Sequence, residues 1–302
     1  MENIIQENII HDKAFYIGTS IVYPPFKNGF YMEEYFVNYI CNNNTFYDRN
    51  GRLYIPALWT NFQLESWFGS YRMIMQTKLD EFIITHPCEK GYFTVVQHDD
   101  GPFLKLPSNT IVYGACNGDI PLPLIYEDNK DTLKILAKNN VKSFHEREIL
   151  CSFVGCTTHT VRNKCIDSFS NVPGFEMIVP KEGWKLAVNK SNQDVFIEKT
   201  LHSKFALAPR GYGKSSFRFF EIFHLGCIPI YVWDDIEWLP YKDMLNYSTF
   251  CISINVSCID QLPDILKDID EQKYNKMKEE YEKIKHMFEL EFMCKYITTI
   301  GI

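Results

Sequence analysis

The stretch Lys204–Trp233, KFALAPRGYGKSSFRFFEIFHLGCIPIYVW, decides how this chain is read. KFALA is an apolar run of strand length, too short for a stable helix. Pro209 has no N–H to give a sheet ladder and ends the strand. Gly211 and Gly213 allow a sharp turn and a close approach of backbone to a ligand. Ser215 or Ser216 then caps a helix that Gly226 stops, and CIPIYVW follows as a second buried strand. Such a strand–turn–helix aims the free N–H groups of a helix start at whatever lies above the sheet, which makes an anion site. Arg210 adds a forked cation suited to phosphate.

Outward from this stretch, the composition is that of a globular protein. The 302 residues, 46% hydrophobic and 23% charged, suit one large domain or two. The aromatic share of 15% is high and is expected mostly in packing. A net charge of −7 argues against nucleic acid as the partner. Ten cysteines, at 41, 88, 116, 151, 156, 165, 227, 251, 258 and 294, include no C-x-x-C pair. Free thiols in a reducing compartment are expected, rather than a disulfide scaffold or a zinc site. MENIIQENIIHDKAFY lacks the basic region and apolar core of a signal peptide, and no stretch reaches the length of a membrane span. The expectation is a soluble, cytoplasmic protein with no membrane insertion.

Strand and helix patterns alternate along the chain. AFYIG (14–18), RLYIPALW (52–59), YFTVVQ (92–97) and TIVYGAC (110–116) read as strands, with helices over 29–43 and 62–83 and a loop at NGDIPLP. The polar run 127–146 marks a domain boundary. EILCSFVG (148–155) opens a second series: a helix capped by Thr157 or Thr158, a strand FEMIVP, a helix over 194–203, and the strand STFCISIN after the decisive stretch. A Lys/Glu-rich helix from about 264 closes the chain. The predicted architecture is α/β: a domain over 1–138, a second over 139–275, and a terminal helix 276–302 packing back on the first. Ligands of parallel sheets bind beyond the carboxyl ends of the strands. His98–Gly101, Gly155 and Pro209–Gly213 all follow predicted strands, and the expectation is that they face one cleft.

PRGYGKSS imitates a Walker A loop, and IPIYVWDD a Walker B strand ending at Asp234. The first Walker glycine is missing, because Ala208 stands there. A P-loop-like ATPase or kinase is thus an alternative with a defined objection.

The ordered pieces SKFALAPRG (203–211), S-F-R-F-F-E (216–221) and GCIPI (226–230) together resemble the signature of the exostosin-like glycosyltransferases, glycosyltransferase family 47. Ala206 departs from it where cysteine is frequent. LYIPALW, HDDGP (98–102), GDIPLPL (118–124) and FVGCTTHTVRNKCI are similar to further family segments. The family's usual membrane anchor is not seen in this sequence; the resemblance is to compact soluble members of the kind large DNA viruses carry, and the expectation is a cytoplasmic protein, in a host cytoplasm if viral. The resemblance implies a GT-B fold of two Rossmann-like domains facing a cleft, and inverting transfer from a UDP-sugar to an oligosaccharide or glycoprotein glycan. Xylose is the first expectation for the sugar, with galactose, glucuronate and N-acetylglucosamine as the others. A catalytically silent sugar-binding protein of the same fold is the non-enzymatic alternative.

Residue chemistry fits this. Arg210 and the backbone of Gly211, Tyr212, Gly213, Ser215 and Ser216 suit a diphosphate, and Glu221 suits the ribose hydroxyls. Arg218, Gly155, Thr157 and Arg162 complete the candidate donor set. Inversion needs a general base for the acceptor hydroxyl. Asp99 is that candidate, with Asp100 and His98 beside it; the alternative is that Asp99 only caps a turn. Asp268-Ile269-Asp270 has the letters of a metal-binding D-x-D but lies in a charged helix pattern, so no metal and no cofactor beyond the co-substrate are expected.

Overall fold

The computed structural model describes residues 10–18 and 23–300. The chain divides into two compact units. One holds residues 10–18, Phe30–Glu127 and the chain from Met287; the other holds 23–29 and Asp128–His286. The start of MENIIQENII lies outside the described residues.

The first unit is built on four parallel strands in chain order: β1 (Leu53–Tyr54), β2 (Tyr92–Val96), β3 (Thr110–Gly114) and β4 (Ile120–Pro121). Its first helices are α1 (Met32–Asn43), α2 (Trp59–Leu64) and α3 (Phe68–Thr85). All of β2 is buried, as expected of a strand covered on both faces. Phe36, Tyr54 and Phe93 pack edge-on and tilted with ring centroids 5.1–6.1 Å apart. Nearby, Trp59 Nε1 donates to Thr94 Oγ1 at 2.6 Å, and that hydroxyl donates to the Ile55 carbonyl.

Several local expectations change here. AFYIG is no strand: Asp12 caps a 3-10 turn, Lys13–Tyr16. RLYIPALW yields only two strand residues, because Pro56 has no N–H to continue the ladder and α2 begins at Trp59. The single helix expected over 62–83 divides between α2 and α3. NGDIPLP contains β4, whose pairing with β3 closes over Gly114.

The second unit begins with α4 (Thr132–Asn139) and contains β5 (Ile149–Val154), α5 (Thr160–Phe169), β6 (Phe175–Ile178), α6 (Lys190–His202), β7 (Ser203–Pro209), α7 (Phe217–His224), β8 (Ile228–Trp233) and β9 (Ile252–Asn255). The five strands are parallel in the order β6-β5-β7-β8-β9. Cys151, Phe153, Phe205, Leu207, Ile230 and Val232 form the middle of its core. The decisive stretch folds as read: β7 ends at Pro209, Ser216 caps α7, and the helix stops at Gly226. Gly226 adopts φ +69°, donates to Phe223, and is followed by Cys227 donating back to Ile222, a Schellman ending that needs a residue at ease in the left-handed region.

The expected division at 138/139 falls inside α4, and the units change instead at Glu127/Asp128. The Lys/Glu-rich terminus is three helices, α8 (Leu262–Lys267), α9 (Glu271–Ile284) and α10 (Leu290–Thr298), not one. Asp268 closes α8 and Asp270 caps α9 by accepting from Lys273 N–H, so the D-x-D letters are helix ends. Only the part from Met287 belongs with the first unit. There Arg49 donates to the Ile300 carbonyl at 2.8 Å and lies over the Tyr296 ring.

Candidate functional site

In the second sheet the strand order reverses between β5 and β7. At such a switch point the loops leaving two neighbouring strands part and open a crevice at their carboxyl ends. The loop after β5 carries Gly155, Cys156, Thr157, Thr158 and His159; the loop after β7 carries Arg210 to Ser216. The two meet. Arg162 Nε donates to the Arg210 carbonyl at 3.1 Å and Nη1 to the Cys156 carbonyl at 3.0 Å. Gly211 eases this approach: a Cβ there would stand 3.2 Å from Arg162 Nη2, close enough to press on it, and 3.6 Å from Thr158 Oγ1. Gly155 is fixed by packing, since a Cβ would fall 2.9 Å from the Phe153 ring.

Arg210, the leading phosphate candidate of the sequence, is paired within the chain, while Arg162, a second-rank candidate, has no carboxylate partner among the described residues. Arg210 is 8% exposed, and its guanidinium donates to Asp234 and Asp235, both at 2.7 Å, and to the Tyr212 carbonyl. Burial alone pushes the Asp234 carboxyl up, but the bonds from Arg210 and from the Asp235 backbone outweigh it and leave the group below its ordinary range. Arg210 is therefore neutralised in place. Arg162 has bonds only to carbonyls, and among the described residues no carboxylate pairs with it. Burial lowers its pKa, Tyr23 opposes that, and the like charge of Arg218 adds to it. A half-buried guanidinium with no carboxylate partner is an arrangement that an incoming anion relieves.

Arg218 lies 3.6 Å over the Phe196 ring and pairs with Glu221 at 2.9 Å. Glu221 is 2% exposed, so its carboxylate orients Arg218 from beneath. Ser216, not Ser215, is the cap of α7, and accepts from Arg218 N–H. The cap of α5 is His159, not Thr157 or Thr158. Its Nδ1 accepts from Val161 N–H and Nε2 faces Asp234 at 3.9 Å; burial and Arg210 lower its pKa against the pull of Asp234. Thr157 is exposed, while Thr158 faces Gly211. Gly213 is buried and Tyr212 is 64% exposed. Lys214, the lysine of the Walker-like letters, extends its ammonium over Trp238, 4.9 Å from the ring centroid. In a P-loop that lysine reaches the phosphates instead.

In the first unit His98–Gly101 form a turn after β2, with Gly101 N–H donating to the His98 carbonyl at 3.1 Å. Asp99 and Asp100 are exposed at its tip. Burial lowers the pKa of His98 against both aspartates, and its Nδ1 accepts from Asp100 N–H. The loop has no regular structure, and side chains from the helices fasten it. Glu33 accepts from Gln97 N–H at 2.5 Å and from the Thr60 hydroxyl at 2.6 Å. Gln63 donates to the Gly101 carbonyl and accepts from Phe103 N–H; Gln76 makes the same pair of bonds with Lys105. Burial pushes the Glu33 carboxyl up to about 7, against the bonds it accepts. Neither Glu33 nor Gln63 stood out in the sequence.

All ten cysteines are free, six of them buried. Among the described residues no three His, Cys, Asp or Glu side chains are grouped to hold a metal ion, and no helix is long and apolar enough to cross a membrane.

The family model described as the exostosin GT47 domain matches residues 104–269. The match contains every residue of the switch-point site and begins after Asp99. Two Arabidopsis thaliana proteins described as probable glycosyltransferases are 33% identical over 90 residues and 35% identical over 88 residues. These segments cover 30% and 29% of this chain, but only 19% and 18% of the relatives.

Proposed function

The chain belongs to the exostosin GT47 family, and from that premise we propose that it transfers a sugar, with inversion, from a UDP-sugar to a glycan hydroxyl. Two α/β units on parallel sheets are the content of a GT-B fold. The observation that carries the proposal is Arg162: a half-buried cation without a carboxylate partner among the described residues, at the switch point of a parallel sheet, beside the start of α7.

In this reading the diphosphate takes the place of the missing counter-ion. Arg162 Nη2 and Arg218 face it, and the first N–H groups of α7 and the 211–216 backbone donate to its oxygens. Arg210, held by Asp234 and Asp235, keeps the β7 loop in shape, so that Gly211 lies against Arg162. Glu221 is the proposed acceptor for the ribose hydroxyls and steadies Arg218. As the glycosidic bond to the diphosphate breaks, negative charge grows on the leaving oxygen, and the cations and helix start stabilise it. Asp99 takes the acceptor hydroxyl proton as that oxygen attacks the anomeric carbon from the opposite face. The tight fastening of 97–105 suits a base whose placement limits the rate. The partners are a nucleotide sugar and a glycan, and the chemistry routes no step through a metal. Xylose is the first sugar to test.

The test is UDP release from UDP-xylose, UDP-galactose, UDP-glucuronate and UDP-N-acetylglucosamine with mixed glycan acceptors, with and without EDTA, followed by assignment of the product anomer. The expected result is release with one sugar, retained in EDTA, and an inverted product. Retention of configuration overturns the mechanism. Binding of ATP with magnesium, in place of any UDP compound, supports the P-loop alternative.

A further inference from the structure

One segment of the second unit comes from far away in the chain. Residues 23–29 pack with it, although its next residue is Asp128. Asn28 Nδ2 donates to Asp128 Oδ1 at 2.7 Å, and the buried Phe26 packs on Phe196, the ring beneath Arg218. These contacts bring Tyr23 to the start of α7. Its ring meets Phe217, the first residue of that helix, edge-on at 6.1 Å. It meets Trp184 edge-on at 5.9 Å.

Trp184 lies in the loop that leaves β6, so it belongs to the same carboxyl edge of the sheet as the loops after β5 and β7. Its side chain is 54% exposed, an unusual state for an indole that already has one aromatic neighbour. Tyr23 is also near enough to Arg162 to oppose the lowering of its pKa. An open aromatic surface thus adjoins a cation that lacks a counter-ion. A nucleoside diphosphate needs both, a flat apolar surface for the base and cations for the phosphates.

We propose that Trp184, braced by Tyr23 of the inserted 23–29 segment, stacks the nucleobase of the nucleotide sugar. This rests on the donor reading given above and adds to it a specific subsite, separate from the phosphate site. Trp184 supplies the stacking face and Tyr23 is its positioning residue. The distant segment is then part of the donor site, so a fragment lacking residues 23–29 has an incomplete one.

Equilibrium binding of UDP and of inorganic pyrophosphate to the full chain separates the two subsites. Trp184→Ala is expected to weaken UDP about 5- to 100-fold, the range of a lost base stack, while pyrophosphate affinity stays the same. Tyr23→Ala is expected to follow in the same direction with a smaller loss, and Tyr23→Phe to restore UDP binding. Because Trp184 is half exposed, its substitution leaves the core intact, and an unchanged unfolding temperature verifies this. Unchanged UDP affinity in Trp184→Ala, or an equal loss of UDP and pyrophosphate, overturns the base subsite while the donor reading stands. A wild-type chain that binds pyrophosphate but no nucleoside diphosphate overturns both.

Discussion

Both sheets of this chain are parallel, yet they make their candidate sites by different means. In the first unit β1 to β4 follow one another in chain order, so no neighbouring loops part. In the second the order doubles back between β5 and β7, and a crevice comes with the topology. The second unit therefore needs only loop residues that do not fill the crevice, which Gly155 and Gly211 supply. The first unit has to hold its 97–105 loop by side chains reaching from the helices, Glu33, Gln63 and Gln76. A site given by topology tolerates changes around it; a site given by clamps depends on each clamp.

The contrast is broken most directly at Asp99. Asp99→Asn is expected to lower kcat about 10²–10⁴-fold and to leave the UDP dissociation constant unchanged, because catalysis and donor binding are assigned to different units. A full rate in Asp99→Asn moves the base elsewhere and reduces the loop to a turn.

Stability against pH sharpens the comparison, because the shifted groups of the two units titrate in opposite directions. The folded pKa of Glu33 is raised to about 7 by burial, so its contribution is fully present below about 4.5 and is lost as pH rises toward 7. The loss is roughly 3 kcal/mol at about 1.4 kcal/mol per unit. In the second unit His224 goes the other way: burial, with Lys134 alongside, lowers it to about 4. Its contribution is present above about 6.5 and is lost as pH falls toward 4. Denaturant unfolding between pH 4 and 8 is expected to lose the alkaline decline in Glu33→Gln and the acid decline in His224→Gln. Identical profiles in wild type and Glu33→Gln contradict a buried carboxyl that gains a proton on folding.

A smaller effect is expected at Gly211. A Cβ there presses on Arg162 Nη2, so Gly211→Ala is expected to weaken UDP about tenfold, the price of displacing one charge-assisted contact of about 1.5 kcal/mol. Thermal unfolding should hardly change, since the residue stands outside the core.

Much of the second unit was legible because its signals are local. Pro209 ending a strand, serines before an apolar helix and Gly226 at its close are short-range rules, and the structure follows them. Which arginine lacks a carboxylate partner was not legible. The motif puts Arg210 ahead of Arg162, and only the fold brings Asp234 and Asp235 onto the first. The cap of α5 was missed because histidine seldom caps, and the aspartates of HDDGP drew the attention that Glu33 and Gln63 share in the folded loop. Tyr23 was invisible for a simpler reason: it joins the second unit from more than 100 residues away, and no periodicity or motif records that contact.

The central claim is that the switch point of the second sheet is the anion site and that Arg162 is its uncompensated cation. Calorimetric titration of UDP into the wild type and Arg162→Ala tests it most directly, with thermal unfolding as the check on folding. The account predicts micromolar-class binding in the wild type and a loss on the order of 10²-fold in Arg162→Ala, the range of a lost charge-assisted hydrogen bond. A folded Arg162→Ala chain that binds UDP as tightly as the wild type contradicts it.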